Sequence, residues 1–306
     1  MSLIDAHHHV WDLSVRAQPW IDDLGPSVLQ RSYALSDLRP AAEQAGVTGT
    51  VLVQTVTVAE ETPELLALAT ADPLVAAVVG WVDLTAPAVA ADLARLRSGP
   101  GGEFLASVRH QVQEEPDPDW LRRPDVLRGL SAVAAAGLCY DLVVRPHQLP
   151  AARYAAAQVP GLIFVLDHGG KPPVEAGALE PWATDVRAFA ALPNTACKLS
   201  GLVTEASPGS AAAAFTPFAD VILSAFGAGR VMFGSDWPVC LLASDYAGVL
   251  ALARALVTGL SEAERAAVFA GTAARVYGLA AAAGEDQEAG GGSWRLPTRP
   301  SRRSSR

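Results

Sequence analysis

"LIFVLDHGGKP" occupies residues 162–172. Its first five residues are apolar without a break, and the run then ends in Asp167 and His168 before a Gly-Gly turn. A strand that is apolar on every side chain is buried on both faces, the habit of parallel sheets covered by helices. Working outward, the same kind of run is expected to form strands at 3–7, 47–55, 75–84, 104–112, 138–145, 162–168, 195–201 and 230–236. Alanine- and leucine-rich segments with helical spacing alternate with them, at 35–46, 62–72, 86–99, 124–137, 149–159, 180–192, 215–227, 246–259 and 261–278. Ser36 and Thr62 are expected N-caps, Pro63 a first-turn proline and Gly46 a C-cap. Eight strands alternating with helices over residues 1–280 predict an α/β fold, a single-domain (β/α)8 TIM barrel. The alternative, a doubly wound open sheet, lacks the glycine-rich fingerprint after its first strand.

The formal net charge of -9 argues against nucleic-acid binding. Asp5 and the histidines interrupt the first apolar stretch, so no signal peptide is expected. No apolar run reaches the roughly 18 residues of a membrane helix. These features predict a cytoplasmic protein with no membrane partner. Cys139, Cys197 and Cys240 are odd in number and far apart, which speaks against a disulfide framework. Residues 281–306 are expected to form a disordered Gly/Arg-rich tail. A homodimer is expected on general frequency alone.

In a barrel of this kind the active site sits where the strands end. Strand one ends in His7, His8 and His9, strand two in Gln54, and strand three runs into Trp81 and Asp83. Strand four carries Arg109 and His110, and strand five Arg145 with His147 just beyond. Strand six ends in Asp167 and His168, followed by Lys171; strand seven holds Lys198 and Ser200; strand eight ends in Ser235 and Asp236. All six histidines and both lysines of the chain therefore fall at or near strand ends. Side chains alternate along a strand, so His7 and His9 share one face and His8 takes the other. The HxH pair facing the barrel mouth suits metal chelation or hydrogen bonding to one substrate oxygen.

"IDAHHHVWD" (4–12), "VLDHGGKP" (165–172), "CKLSGL" (197–202) and "MFGSDWPVC" (232–240), in this order, resemble the amidohydrolase superfamily. "SVRHQVQEEPDPDWL" (107–121) and "YDLVVRPHQLP" (140–150) resemble segments of its sugar-lactonase branch. The resemblance implies hydrolysis of a carboxylic ester in a sugar lactone, an aldonolactone such as L-fuconolactone, with the small lactone as partner. No lysine follows strand four, where binuclear members carry a bridging one, so no cofactor or one divalent ion is expected. That ion would be zinc, held by His7, His9, His168 and Asp236.

The expected chemistry is attack of water on a carbonyl polarised by His7, His9 and His168 or by the metal, with Asp236 as general base. Burial is expected to raise Asp236 enough for it to return the proton as an acid. Arg109, Arg145, His147, Lys171, Lys198 and Gln54 are the candidate substrate-binding residues. Arg109 is expected to offer its planar fork to the substrate, and Lys198 to sit near Asp236 and hold it ionised. Trp81 is expected in the core, while Asp83 is a candidate for lining the sugar. Trp11, Trp20 and Trp237 lie in loops where they either stack on a sugar or pack, and loop 11–34 is expected to form a wall or lid. Rival readings are a metal-dependent decarboxylase of the same superfamily, an amide or other ester hydrolase, and a barrel that has lost catalysis.

Overall fold

The structure, a computed structural model, describes residues 2–279. The tail expected at 281–306 lies outside the described residues. The eight parallel strands are β1 (Leu3–His8), β2 (Val47–Val53), β3 (Val75–Gly80), β4 (Leu105–His110), β5 (Cys139–Leu142), β6 (Phe164–Leu166), β7 (Thr195–Leu199) and β8 (Val231–Phe233). They pair in sequence order. The ring closes just beyond β8, where Asp236 N donates to His7 O at 2.8 Å and His9 N to Trp237 O at 2.7 Å. This is the expected (β/α)8 TIM barrel in one domain.

Two packed layers follow from the alternation of side chains. Small apolar residues such as Ala6, Val51, Val79, Val165, Ala196 and Met232 fill the inside of the ring, with Val276 and Tyr277 of the last helix packed against them. Leu52, Leu142, Phe164, Leu199 and Phe233 point the other way, into the helical layer. Helices begin within three residues of where the pattern predicts, with two different caps. The helix Leu35–Ala45 starts after Ala34, whose N–H is accepted by the Asp37 carboxylate at 2.8 Å, so Asp37 rather than Ser36 satisfies the first turn. Thr62 is not a cap; its hydroxyl bonds the backbone of Trp81. Gly46 ends the first of these helices in the left-handed conformation, as expected. Among the described residues, no helix is long and apolar enough to cross a membrane.

One irregularity decides the site. Between Asp5 and His8 the register with β2 slips, from Asp5 opposite Thr50 to His8 opposite Leu52. Three steps on β1 therefore match two on β2, which is a bulge. Ala6 packs with the inner layer, yet His7 also faces inward, toward Lys198 and Asp167. The bulge supplies the extra residue that makes this possible. Beyond it, alternation resumes: His8 turns outward to Thr50 Oγ1, 2.9 Å away, and His9 turns back in.

Candidate active site

A cavity of about 410 Å³ opens at the C-terminal ends of the strands. His9, His168 and Asp236 lie at its floor, each nearly buried, and His7 sits fully buried beside them. Asp236 Oδ1 is 3.7 Å from His7 Nε2, 3.6 Å from His9 Nε2 and 3.9 Å from His168 Nε2. His7 and His9 meet through their Nε2 atoms at 3.1 Å. The far nitrogen of each ring is anchored: His7 Nδ1 at Lys198 Nζ (3.0 Å), His9 Nδ1 at Val53 O (2.8 Å) and His168 Nδ1 at Ser200 Oγ (2.9 Å).

Both His168 and Asp236 have positive φ, 55° and 57°, a conformation costly for residues with a Cβ. Surrounding bonds hold them. Asp5, fully buried, accepts from Ser235 N at 2.8 Å and Ser235 Oγ at 2.6 Å, which ties the turn before Asp236 to β1. Gly234 allows the approach: a Cβ there would lie 2.7 Å from that of His7.

The charges of the site divide into two tiers. Below the floor, Lys198 is fully buried, 2.6 Å from Asp141 Oδ2 and 3.0 Å from Asp167 Oδ1. Tyr277 donates to the same Asp141 oxygen at 2.8 Å and Ser107 to its partner oxygen at 2.6 Å. Arg109 Nη1 donates to Asp167 Oδ2 at 2.9 Å, and its Nη2 to the backbone and side-chain oxygens of Gln54 at 2.6 and 3.0 Å. Above the floor, Lys171 pairs loosely with Glu205 at 3.4 Å and Arg145 with Glu114 at 3.5 Å, all four lining the cavity rim.

This network sets protonation. Burial on its own would raise Asp167, but Lys198, His7 and Arg109 together hold it well below the ordinary carboxylate value. Burial would likewise raise Asp236; the neighbouring rings of His168 and His9 and the charge of Lys171 outweigh it and keep the carboxyl below its ordinary value. The expectation of a raised Asp236 is therefore corrected. Burial pushes His168 down to about 4 and His8 down to about 3, and holds His7 well below its ordinary value with Lys198 adding to the effect. Neutral His7 and His168 rings beside an ionised Asp236 carboxylate are the resting state at neutral pH.

Several expected placements differ. Lys198 does not reach Asp236; the inward phase of β7 delivers it to Asp141 and Asp167 one tier lower. The fork of Arg109 is already occupied by Asp167 and Gln54, leaving Nε as a buried donor without a hydrogen-bond partner. Gln54 is fully buried behind Arg109 and does not line the cavity. Arg145 remains in the cavity lining, exposed at the rim, where it pairs with Glu114. His147 is exposed in the turn Pro146–Gln148 and lies outside the cavity lining, because Pro146 starts a new helical turn there. Asp83 is exposed and accepts from Thr85 in its own turn, so it does not line the cavity either. Trp81 is half-buried and donates to His110 Nδ1 at 3.1 Å, which agrees with a packing role.

Loop 11–34 is pinned at its base by paired backbone bonds between Trp11 and Tyr33. Trp11 and Trp237 pack edge-on against Tyr33. Trp20, Asp23 and Leu24 instead form a wall of the cavity. Residues that strand-end reading missed include Glu205, Asp23 and the bond of Tyr277 to Asp141. The first two lie in loops without pattern. Asp141 did carry a signal, as an acid at an inward position of an apolar run.

The donor set suits a divalent ion. Nitrogen and oxygen atoms of His7, His168 and Asp236 lie within 4.8 Å of one another. His7 Nε2 and His168 Nε2 lie 3.7 and 3.9 Å from Asp236 Oδ1, and zinc bonds of about 2 Å would draw these atoms closer together. Asp167 Oδ1, buried and paired with the Lys198 ammonium at 3.0 Å, lies 3.4 Å from His7 Nδ1, where the outer partner of a ligating histidine belongs.

Comparison with known proteins agrees with this geometry. A family model described as amidohydrolase matches residues 4–279. An L-fucono-1,5-lactonase of Burkholderia multivorans is 40% identical over 288 residues, covering 90% of this chain and 96% of that protein. An L-fucono-1,5-lactonase of Burkholderia ambifaria is 37% identical, covering 90% and 94%. A crystal structure of an amidohydrolase from Burkholderia multivorans with bound zinc superposes with a TM-score of 0.86 at 39% identity, covering 92% of this chain and all of that one. The barrel, its strand-end histidines and aspartate, and a match spanning nearly every described residue lead to one assignment: the chain belongs to the amidohydrolase family.

Proposed function

We propose that this chain is a hydrolase that opens a sugar lactone, an aldonolactone of the L-fucono-1,5-lactone type. One observation carries the reading. A chain 40% identical to an L-fucono-1,5-lactonase over almost its whole length holds an ionised carboxylate beside the neutral imidazole of His168 at the floor of a sugar-sized cavity. The expectation from sequence resemblance agrees with the names of both relatives.

In this reading the lactone carbonyl faces His168 Nε2, whose ring Ser200 orients from behind. Asp236 removes a proton from water as the oxygen attacks the carbonyl carbon. The tetrahedral oxyanion is stabilised by the ring N–H of His168 and by the cationic potential of Arg109 and Lys171. The C–O bond of the ring then breaks, and Asp236 returns its proton to the departing ring oxygen. Water is consumed and an open hydroxy acid results. An Asp236 whose pKa is held low is a strong acid once protonated, which suits that second step. Arg109 through its free Nε, and Lys171 and Arg145 from the rim, are the proposed contacts to sugar hydroxyls. Lys198 and Gln54 act indirectly, by holding His7 and Arg109. A divalent ion, zinc by likeness to the zinc-bound relative, would be held by His7, His9, His168 and Asp236 and would supply Lewis acidity to the carbonyl.

The test is a pH-indicator assay on aldono-1,5- and 1,4-lactones with chelator-treated and zinc-supplied protein. Turnover of an aldonolactone that is lost in Asp236→Asn supports the reading. Folded protein that turns over none of them, but releases CO₂ from aromatic acids or hydrolyses amides, overturns it in favour of those chemistries.

A further inference from the structure

The proton on His7 can be located from its neighbours. His9 Nδ1 lies 2.8 Å from the backbone oxygen of Val53. A carbonyl only accepts, so His9 carries a proton on Nδ1. His7 Nε2 and His9 Nε2 are 3.1 Å apart, and two ring nitrogens at that distance share one proton. At the other side of the ring, His7 Nδ1 lies 3.0 Å from Lys198 Nζ. An ammonium only donates, so His7 Nδ1 must be the acceptor. The proton of His7 is then on Nε2, and it fills the gap to His9. Both ends of the chain Lys198–His7–His9–Val53 assign the same tautomer. Arg109 Nη1 also lies 3.4 Å from His7 Nε2, but this is the longest of the contacts, and Nη1 already donates to Asp167 at 2.9 Å.

A metal ion at His7, His168 and Asp236 needs the opposite tautomer, because a ligating nitrogen offers its lone pair. His7 would move its proton to Nδ1, where it confronts the Lys198 ammonium. The acceptor within reach is Asp167 Oδ1, 3.4 Å away, an oxygen that the Lys198 ammonium also contacts at 3.0 Å. The structure thus holds a partner for each tautomer, and Lys198 favours the one that does not bind metal.

We propose that Lys198 is a positioning residue that locks His7 in the Nε2-protonated tautomer and so lowers the affinity of the site for a divalent ion. Fully buried and held by Asp141 and Asp167, it directs its third proton to His7 Nδ1, 3.0 Å away. His7 then serves the site as a donor through Nε2, and metal binding competes with this bond. The inference does not depend on which substrate the enzyme takes.

Two measurements test it. Solution NMR of ¹⁵N-histidine-labelled, chelator-treated protein reports the tautomer directly, and His7 is expected with Nε2 protonated and Nδ1 bare. Zinc affinity, read by competition with a chromophoric chelator, is expected to tighten about 10–100-fold in Lys198→Met, the range typical of changes to a ligand's outer partner. Lys198→Arg, which keeps a donor at this place, is expected to tighten it less. A proton on Nδ1 of His7 in the metal-free protein overturns the proposal. So does unchanged zinc affinity in a Lys198→Met protein shown to be folded. If removing one cation from between two buried acids prevents folding, Lys198→Met combined with Asp141→Asn removes the stranded charge, and the same affinity comparison decides.

Discussion

Gly201 passes so close beneath His168 that a Cβ on it would lie 2.4 Å from the imidazole Nδ1. Its φ of +63° adds a second demand for glycine at this position. The ring of His168 rests on bare backbone, with Ser200, the residue just before, supplying the bond that orients it. Gly201→Ala is therefore expected to displace His168 more than to unfold the barrel. Lactone kcat should fall at least tenfold, the order of effect of a misplaced catalytic group, while far-ultraviolet dichroism stays unchanged.

Asp236→Asn keeps the shape of the side chain and removes its basicity. Activity should fall by about 10²–10⁴, the usual contribution of one general acid–base group. Steady-state kinetics on an aldonolactone check this, with KM expected to change far less than kcat.

Acid should weaken the fold through buried imidazoles. His168 titrates at about 4 and His8 at about 3, against an ordinary 6.5 in each case. Between these values the unfolded chain binds more protons than the folded one, so stability falls as pH drops below about 6.5 and levels off only below both folded values. For His168 the drop from 6.5 to about 4 corresponds to about 3 kcal/mol. Denaturant midpoints measured from about pH 7 down to about pH 4 should decline accordingly. His8→Gln should show a shallower decline, since one of the depressed groups is gone.

Arg109 is enclosed by Asp167 and Gln54 and is only 4% exposed. Arg109→Met leaves the Asp167 carboxylate with one cation fewer, and breaking a buried pair in this way costs about 3–5 kcal/mol. Thermal or chemical unfolding checks it. Lys is not expected to restore the loss, because one ammonium cannot reach both partners in the plane that the guanidinium spans.

Lys171 and Glu205 form the contrasting case. Their pair is 3.4 Å long and each side chain is about a quarter exposed, at 27% and 24%. Lys171→Ala should change stability by less than about 1 kcal/mol and appear instead as a higher KM for the lactone.

The sequence by itself determined the barrel. The eight apolar runs and the helices between them are local patterns, and period and length alone distinguish them. It also pointed to several residues that meet at the mouth, because many polar residues at the ends of buried strands turn toward it. His9, His168, Asp236 and Lys171 were legible for that reason. What only the tertiary structure decided is partnership. Lys198 bonds Asp141 and Asp167 rather than Asp236, and the Arg109 fork is filled by Gln54 and Asp167. These pairings span strands far apart in sequence, and their heights inside the ring depend on register across the sheet. The bulge between Asp5 and His8 makes the point most plainly. One extra residue on β1 turns His7 inward beside Ala6, and it is set by pairing with β2, not by any pattern within "LIDAHHHV" (residues 3–10). Alternation is local, but its phase relative to the barrel interior belongs to the closed sheet.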